Sequence, residues 1–174
     1  MIYWSKTGNT EKVALAIKDG LEVAGLSVLM KTISESEDLD FLDYDLVCIG
    51  SPTYQWHPPK PVDDFLKKKH NLYCDKGKIM LATPKIPGKN ALVFCTYAGP
   101  HTGIQEVIPA GKYIGQFLEH LGFNILDEWY ILSEYRGWKE GNTKGRMGDI
   151  RGKPTQEDLL KIKKAAEEMG KKLK

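Results

Sequence analysis

Short runs in which every position is apolar alternate along this chain with longer stretches whose apolar residues recur every third or fourth place. Leu46 to Gly50 and Ala91 to Tyr97 are the clearest runs. They lack the period-two alternation of a sheet with one wet face, so both faces of those strands must be covered. Ile2 to Trp4, Ser27 to Ile33 and Phe123 to Leu132 complete a predicted set of five strands. A first helix is predicted from about Thr10 to Ala24, with Val13, Ile17, Leu21 and Ala24 on one face and Gly25 just past its end. Pro61, with Asp63 and Asp64 in the favourable first turn, opens a second. Pro109 opens a third, carrying Ile114, Phe117, Leu118 and Leu121 at helical spacing and closed by Gly122. The last starts at Thr155, an N-cap answered by Asp158 three residues on, and continues through Leu159, Ile162, Ala166, Met169 and Leu173.

Two segments break the alternation. Ser36 to Tyr44 has room for only a turn or two of helix, and Asn71 to Lys89, with Pro84, Pro87 and Gly88, reads as an irregular excursion of the length often used for lids or binding segments. With right-handed crossovers the whole pattern predicts an α/β fold, a doubly wound five-stranded parallel sheet of order 2-1-3-4-5. Ligands of such a sheet bind at the carboxyl ends of strands one, three and four.

The length of 174 residues suits one domain over 1–174, and 41% hydrophobic residues are enough to fill one core. The longest uninterrupted apolar run, Ala91 to Cys95, is far too short for a membrane span, and Met1-Ile2-Tyr3-Trp4 has no signal-peptide character. A cytoplasmic protein is expected. Cys48, Cys74 and Cys95 form no CxxC pair, and His57, His70, His101 and His120 show no metal-motif spacing, so neither a disulfide nor a metal site is expected. Net charge is +2, unevenly spread: residues 35 to 45 carry six carboxylates and no base, while residues 60 to 89 hold eight Lys against three Asp. The basic stretch lacks arginine and regular aromatic interleaving, so it reads as solvated surface and no nucleic-acid partner is expected.

Chemistry concentrates in three loops. After strand one, Ser5-Lys6-Thr7-Gly8-Asn9-Thr10 runs straight into the first helix, and its hydroxyls, glycine and helix-terminal N–H groups form a receptacle for a phosphate dianion. No GxxxxGK[ST] and no GxGxxG occurs, so this is the outline of a mononucleotide site. The plainer alternative is a strand-to-helix turn in which Asn9 or Thr10 caps the helix. Strand three ends in Ser51-Pro52-Thr53-Tyr54-Gln55-Trp56 and strand four in Thr96-Tyr97-Ala98-Gly99. Trp56 and Tyr97 are placed where a flat ring could be held between them, and the three loops together describe a flavin mononucleotide (FMN) site. Alternatively, Tyr54, Trp56 and Tyr97 cover the end of the sheet. Arg136, Lys144, Arg146 and Arg151, before the last helix, could meet a nucleotide or an acidic partner, but are expected to form a solvated loop. The aspartates of a phosphorylated receiver and the CxxxxxR loop of small tyrosine phosphatases are absent.

Tyr3-Trp4-Ser5-Lys6-Thr7-Gly8-Asn9-Thr10 together with Tyr44-Asp45-Leu46-Val47-Cys48-Ile49-Gly50-Ser51-Pro52-Thr53-Tyr54 resembles the two most diagnostic stretches of the flavodoxin family. The resemblance implies noncovalent FMN, with Ser5, Thr7, Gly8, Asn9 and Thr10 on the phosphate, Ser51 to Trp56 on one side of the isoalloxazine and Thr96 to Gly99 on the other. It implies an electron carrier between redox partner proteins, or toward a small-molecule acceptor. Electron-carrying members are usually strongly acidic, whereas this chain has no acidic residue between Thr96 and Gln105. Gly99-Pro100-His101-Thr102-Gly103-Ile104-Gln105-Glu106 looks somewhat like the corresponding loop of flavodoxin-like NAD(P)H:quinone reductases, making His101 the candidate catalytic residue of that alternative. A module that binds FMN or a partner without turnover is the third reading. Strand one starts at the first residues of the chain, closer to the phosphate loop than in most relatives, as a truncated or misassigned start would give.

Overall fold

Burial on both faces of the central strands dictates the layering. Val47, Cys48 and Ile49 are all buried, and so is every residue from Ala91 to Cys95, which requires helices above and below. The computed structural model describes residues 1–173. Its five parallel strands stand in the order β2-β1-β3-β4-β5, with β1 at Ile2–Tyr3, β2 at Lys31–Thr32, β3 at Leu46–Pro52, β4 at Asn90–Tyr97 and β5 at Asn124–Leu132. Helices α1 (Asn9–Val23) and α5 (Gln156–Lys171) cover one face; α2 (Lys60–Asp75) and α3 (Ile108–His120) cover the other. A short α4 (Lys139–Thr143) lies between β5 and α5. Ile2, Ile49, Val93 and Cys95 point toward α2 and α3, whereas Tyr3, Cys48, Leu92 and Phe94 point toward α1 and α5. Gly20 lets α5 lie against α1, since a Cβ there would stand 2.1 Å from the Lys163 carbonyl oxygen.

The predicted α/β fold and strand order are therefore present, with local differences that have physical causes. The second strand is only Lys31–Thr32, not Ser27 to Ile33, because its ladder runs alongside β1, which itself pairs only through Ile2 and Tyr3. The segment 71–89 is helical as far as Asp75, and its remainder is tied to the amino-terminal end of β5 by Ile86 N–H to Gly122 O at 2.9 Å and Lys85 Nζ to Phe123 O at 2.8 Å. It lies at the edge of the sheet opposite the expected ligand loops and is no lid over them.

The lysine-rich and acidic stretches face each other. Lys68 pairs with Glu37, Lys76 with Asp40 and Lys89 with Asp45. Lys69 is 2% exposed and donates to the carbonyl oxygens of Glu37 and Leu39 at 2.7 and 2.6 Å, above the rings of Phe41 and Phe65. The Tyr73 hydroxyl accepts from the Phe41 N–H at 2.6 Å and donates to Asp40 Oδ1 at 3.0 Å. These anchors let the acidic segment fold as two short 3-10 turns, Ile33–Glu35 and Phe41–Asp43.

The predicted capping box opens α5: Asp158 N–H donates to Thr155 Oγ1 at 3.2 Å, and Thr155 N–H donates to Asp158 Oδ2 at 2.8 Å. Hydrogen bonds from the Thr155 backbone, then from its hydroxyl and from Lys153, hold the Asp158 carboxyl down at about 2. A depressed carboxylate pKa gives stability that is complete above the unfolded value and lost as pH falls through the folded one. Asp158→Asn is expected to lower stability by about 1 kcal/mol near neutrality. In urea unfolding its difference from the parent protein should shrink between about pH 4 and pH 2.

Candidate cofactor site

Gly8 sets the geometry of the first loop. It occupies the N-cap of α1 with φ of +92°, a left-handed conformation in which glycine is unstrained, and its N–H donates to Ser5 Oγ at 3.1 Å. The first intrahelical bond runs from Lys12 N–H to Gly8 O at 3.0 Å, so the amides of Asn9, Thr10 and Glu11 have no helical acceptor. No side chain caps the helix, which removes the alternative in which Asn9 or Thr10 does so. Both lie inside the first turn, buried. Asn9 Nδ2 donates to Glu134 O at 3.0 Å, leaving its Oδ1 buried without a partner. Thr10 Oγ1 is 2.9 Å from Thr96 Oγ1, which ties the first turn of α1 to the end of β4 and leaves the Thr10 hydroxyl a further hydrogen bond to make.

The second loop is pinned by Thr53 N–H to Thr96 O at 2.9 Å. Thr53 Oγ1 is the other buried side-chain oxygen without a partner among the described residues. Tyr54 and His57 exchange both backbone hydrogen bonds, at 2.9 and 3.0 Å, closing a turn whose central residues Gln55 and Trp56 have φ of +48° and +66°. That turn carries Trp56 outward, 62% exposed. Pro52, Thr53 and Tyr54 border the cleft while Gln55 and Trp56 do not, and Ser51 is buried with its hydroxyl donating to Pro52 O. Tyr54 borders the cleft with its ring edge-on to Trp4 at 6.1 Å, and Trp56 stands outside it.

From the third loop, Thr96, Tyr97 and Ala98 line the cleft. Tyr97 is nearly buried, which raises its phenol pKa. Gly99 and His101 stand off the lining. The amides of His101 and Thr102 both donate to Glu106 Oε1 at 2.7 Å, a closed turn that leaves the His101 side chain exposed, its ring 6.1 Å from that of Trp138.

A fourth wall completes the cleft and takes Arg136 out of the solvated loop expected for it. Ser133, Glu134, Tyr135 and Arg136, just past β5, face Ser5, Lys6, Thr7 and Asn9 across the cleft. Asn142 fixes this wall by accepting from Tyr135 N–H and donating to Tyr135 O, both at 2.7 Å. Ser133 N–H to Tyr97 O at 2.8 Å ties it to the third loop. The signal available in the sequence was position alone, since residues following β5 must emerge at the same edge of a parallel sheet as the other loops.

With this geometry in hand, the comparisons are consistent. A family model described as flavodoxin matches residues 1–172. A flavodoxin of Clostridium saccharobutylicum is 27% identical, over 74% of this chain and 82% of its own. NAD(P)H dehydrogenase (quinone) 3 of Rhizobium meliloti (strain 1021) is 23% identical over 72% of this chain; the alignment spans only 64% of that relative's length. A solved flavodoxin from the domain Archaea superposes with a TM-score of 0.65 at 19% identity, over 99% of this chain and 95% of the other, a likeness of fold.

Asn142 is itself 7% exposed and joined to the backbone of the fourth wall from seven residues away. Asn142→Ala should lower stability by about 1–3 kcal/mol, the net worth of the two hydrogen bonds lost. Hydrogen exchange at the Tyr135 amide should accelerate in the same variant.

Proposed function

We propose a function on one premise: the chain belongs to the flavodoxin family, whose members bind FMN and transfer electrons. The proposal is that the cleft between the first and fourth walls holds FMN, and that the protein passes electrons between cytoplasmic redox partners. One observation carries it. Unpaired amides at the start of α1 and the two partnerless buried oxygens, Asn9 Oδ1 and Thr53 Oγ1, belong to residues bordering the same cleft.

The residues fit the cofactor chemically. A phosphate dianion only accepts, and the amides of the Ser5 to Thr10 loop only donate, at the positive end of a helix of 15 residues. Lys6 and Arg136 add positive charge at the cleft. Asn9 Oδ1 needs a donor, which a phosphate lacks and a ribityl hydroxyl has; Thr53 Oγ1 can serve a hydroxyl in either direction. Tyr97 and Tyr54 offer apolar ring faces to a flat heterocycle. When bound, FMN supplies one- and two-electron transfer, while the protein orients it and leaves an edge open to a partner.

The cytoplasmic assignment is supported by three unpaired cysteines, two of them buried. Among the described residues no helix is long and apolar enough to cross a membrane. The second reading, an NAD(P)H:quinone reductase, is favoured by the Rhizobium relative and by the loop that bears His101. The carrier reading is preferred because Glu106 occupies the amides of that loop and the imidazole stands off the cleft.

Thr7 is exposed at the mouth of the cleft and its hydroxyl has no hydrogen bond within the described chain. Thr7→Ala should weaken FMN about tenfold, the loss of one charge-assisted bond, and leave riboflavin affinity unchanged. Equal losses for the two flavins, measured by fluorescence titration of the flavin-free protein, would remove the phosphate from this loop. As a carrier, the FMN-loaded protein should show negligible NAD(P)H:quinone turnover, with or without His101→Ala. Steady turnover that falls by about 10²-fold in that variant would instead establish the reductase, with His101 as its general acid.

A further inference from the structure

Away from the cleft, the carboxyl-terminal halves of α2 and α3 enclose a groove floored by Leu66, Tyr113 and Phe117. On its rim stand His70 and His120, and one turn beyond His70 on α2 is the exposed Cys74. Cys74 Sγ lies 3.7 Å from His70 Nδ1 and 3.9 Å from Nε2. Zinc–sulfur and zinc–nitrogen bonds of ordinary length meeting at a tetrahedral angle place sulfur and nitrogen about 3.5 Å apart. The pair on α2 is thus already near the edge length of a coordination tetrahedron.

His120 comes from the other helix, its ring centroid 6.2 Å from that of His70. Two imidazoles on one tetrahedral ion have centroids about 5 Å apart, a difference that rotamer adjustment of the half-buried His70 and the exposed Cys74 can close. His120 Nδ1 is 2.6 Å from Gln116 O. A carbonyl only accepts, so Nδ1 carries the proton and Nε2 presents its lone pair, the arrangement of a metal-ligating histidine whose second nitrogen is held by the backbone. His120 and Cys74 lie in the last turns of their helices, where the partial negative charge of the helix end favours a cation. Of the nearby bases, Lys67, which lines the groove, is paired with Asp63, and Lys85 with Glu119. Among the described residues no three potential ligands are yet gathered about one point; here two stand near coordination spacing and a third is within reach.

We propose that Cys74, His70 and His120 bind one divalent ion of the zinc class, the thiol releasing its proton on binding and water completing the fourth position. A thiolate with two imidazoles selects borderline ions such as Zn²⁺ over Mg²⁺ or Ca²⁺. The ion would join the ends of α2 and α3 and is independent of the flavin assignment.

The test is titration of the protein carrying oxidised FMN with Co²⁺, whose tetrahedral d–d bands lie to the red of oxidised-flavin absorption, followed by displacement with Zn²⁺. A single equivalent should give those bands with thiolate-to-cobalt charge transfer. Cys74→Ser should abolish the charge transfer, and His70→Ala and His120→Ala should each weaken binding by about tenfold or more. Zn²⁺ should raise the melting temperature of the parent protein and not of Cys74→Ser. Absence of the charge-transfer band in the parent protein overturns the site. Co²⁺ affinity unchanged by His120→Ala overturns the bridge between the helices.

Discussion

A single bond between two buried hydroxyls, Thr10 Oγ1 and Thr96 Oγ1 at 2.9 Å, joins the first turn of α1 to the end of β4. Thr96 also accepts the Thr53 amide through its carbonyl and pairs in register with Pro52 on one side and Ile131 on the other. The loops after β1 and β3 and the end of β5 are thereby referred to one residue. This rigidity matters because the donors of the cleft are backbone amides, which can be aimed only by aiming the whole turn.

Parallel pairing brings every strand out at the same edge, so the site was legible in the order of the sequence before any side chain was placed. The buried runs of β3 and β4 specified the sheet, and Gly8 with the residues around it marked the turn that opens α1 at that edge. Aromatic placement was not legible, because it depends on backbone conformation that residue types alone do not reveal. Gln55 and Trp56 both adopt positive φ without being glycine, and that choice turns the larger ring outward and leaves Tyr54 at the cleft. The fourth wall was hidden for another reason. Its link to the first loop, Asn9 Nδ2 to Glu134 O, spans 125 residues, and its acceptor is a carbonyl that every residue possesses.

The lysine-rich stretch is largely solvated, with Lys69 as its buried exception. The lysine excess of 60–89 suggests a solvated surface when considered apart from the six carboxylates between residues 35 and 45. Folding sets them side by side. The exposed pairs contribute little individually, since water and salt screen them. Lys69 differs because it is buried, donating to two carbonyl oxygens and lying over two aromatic rings. Burial lowers its pKa, the nearby carboxylates of Asp40 and Asp38 oppose that effect, and removing it would leave two carbonyl oxygens without their donor. The acidic segment thus relies on a cation contributed by α2, and the local charge runs are largely satisfied within the molecule.

The same reasoning separates what the two helical layers can do. On the face of α1 and α5, Gly20 brings the backbones too close to admit a side chain between them, and such packing leaves no room for a ligand. On the other face α2 and α3 are held apart by aromatic and long aliphatic side chains, Phe65, Leu66, Tyr113 and Phe117, and polar residues gather along the resulting groove. Histidines 50 positions apart in sequence meet there because both lie near helix ends that emerge at the edge opposite the cleft. Their spacing carries no motif, since the partner of the His70 and Cys74 pair is supplied by a different helix, and only the crossover between β4 and β5 brings it into range. A reading by linear spacing finds ligands that share one element; ligands brought together by the layering of the sheet require the fold.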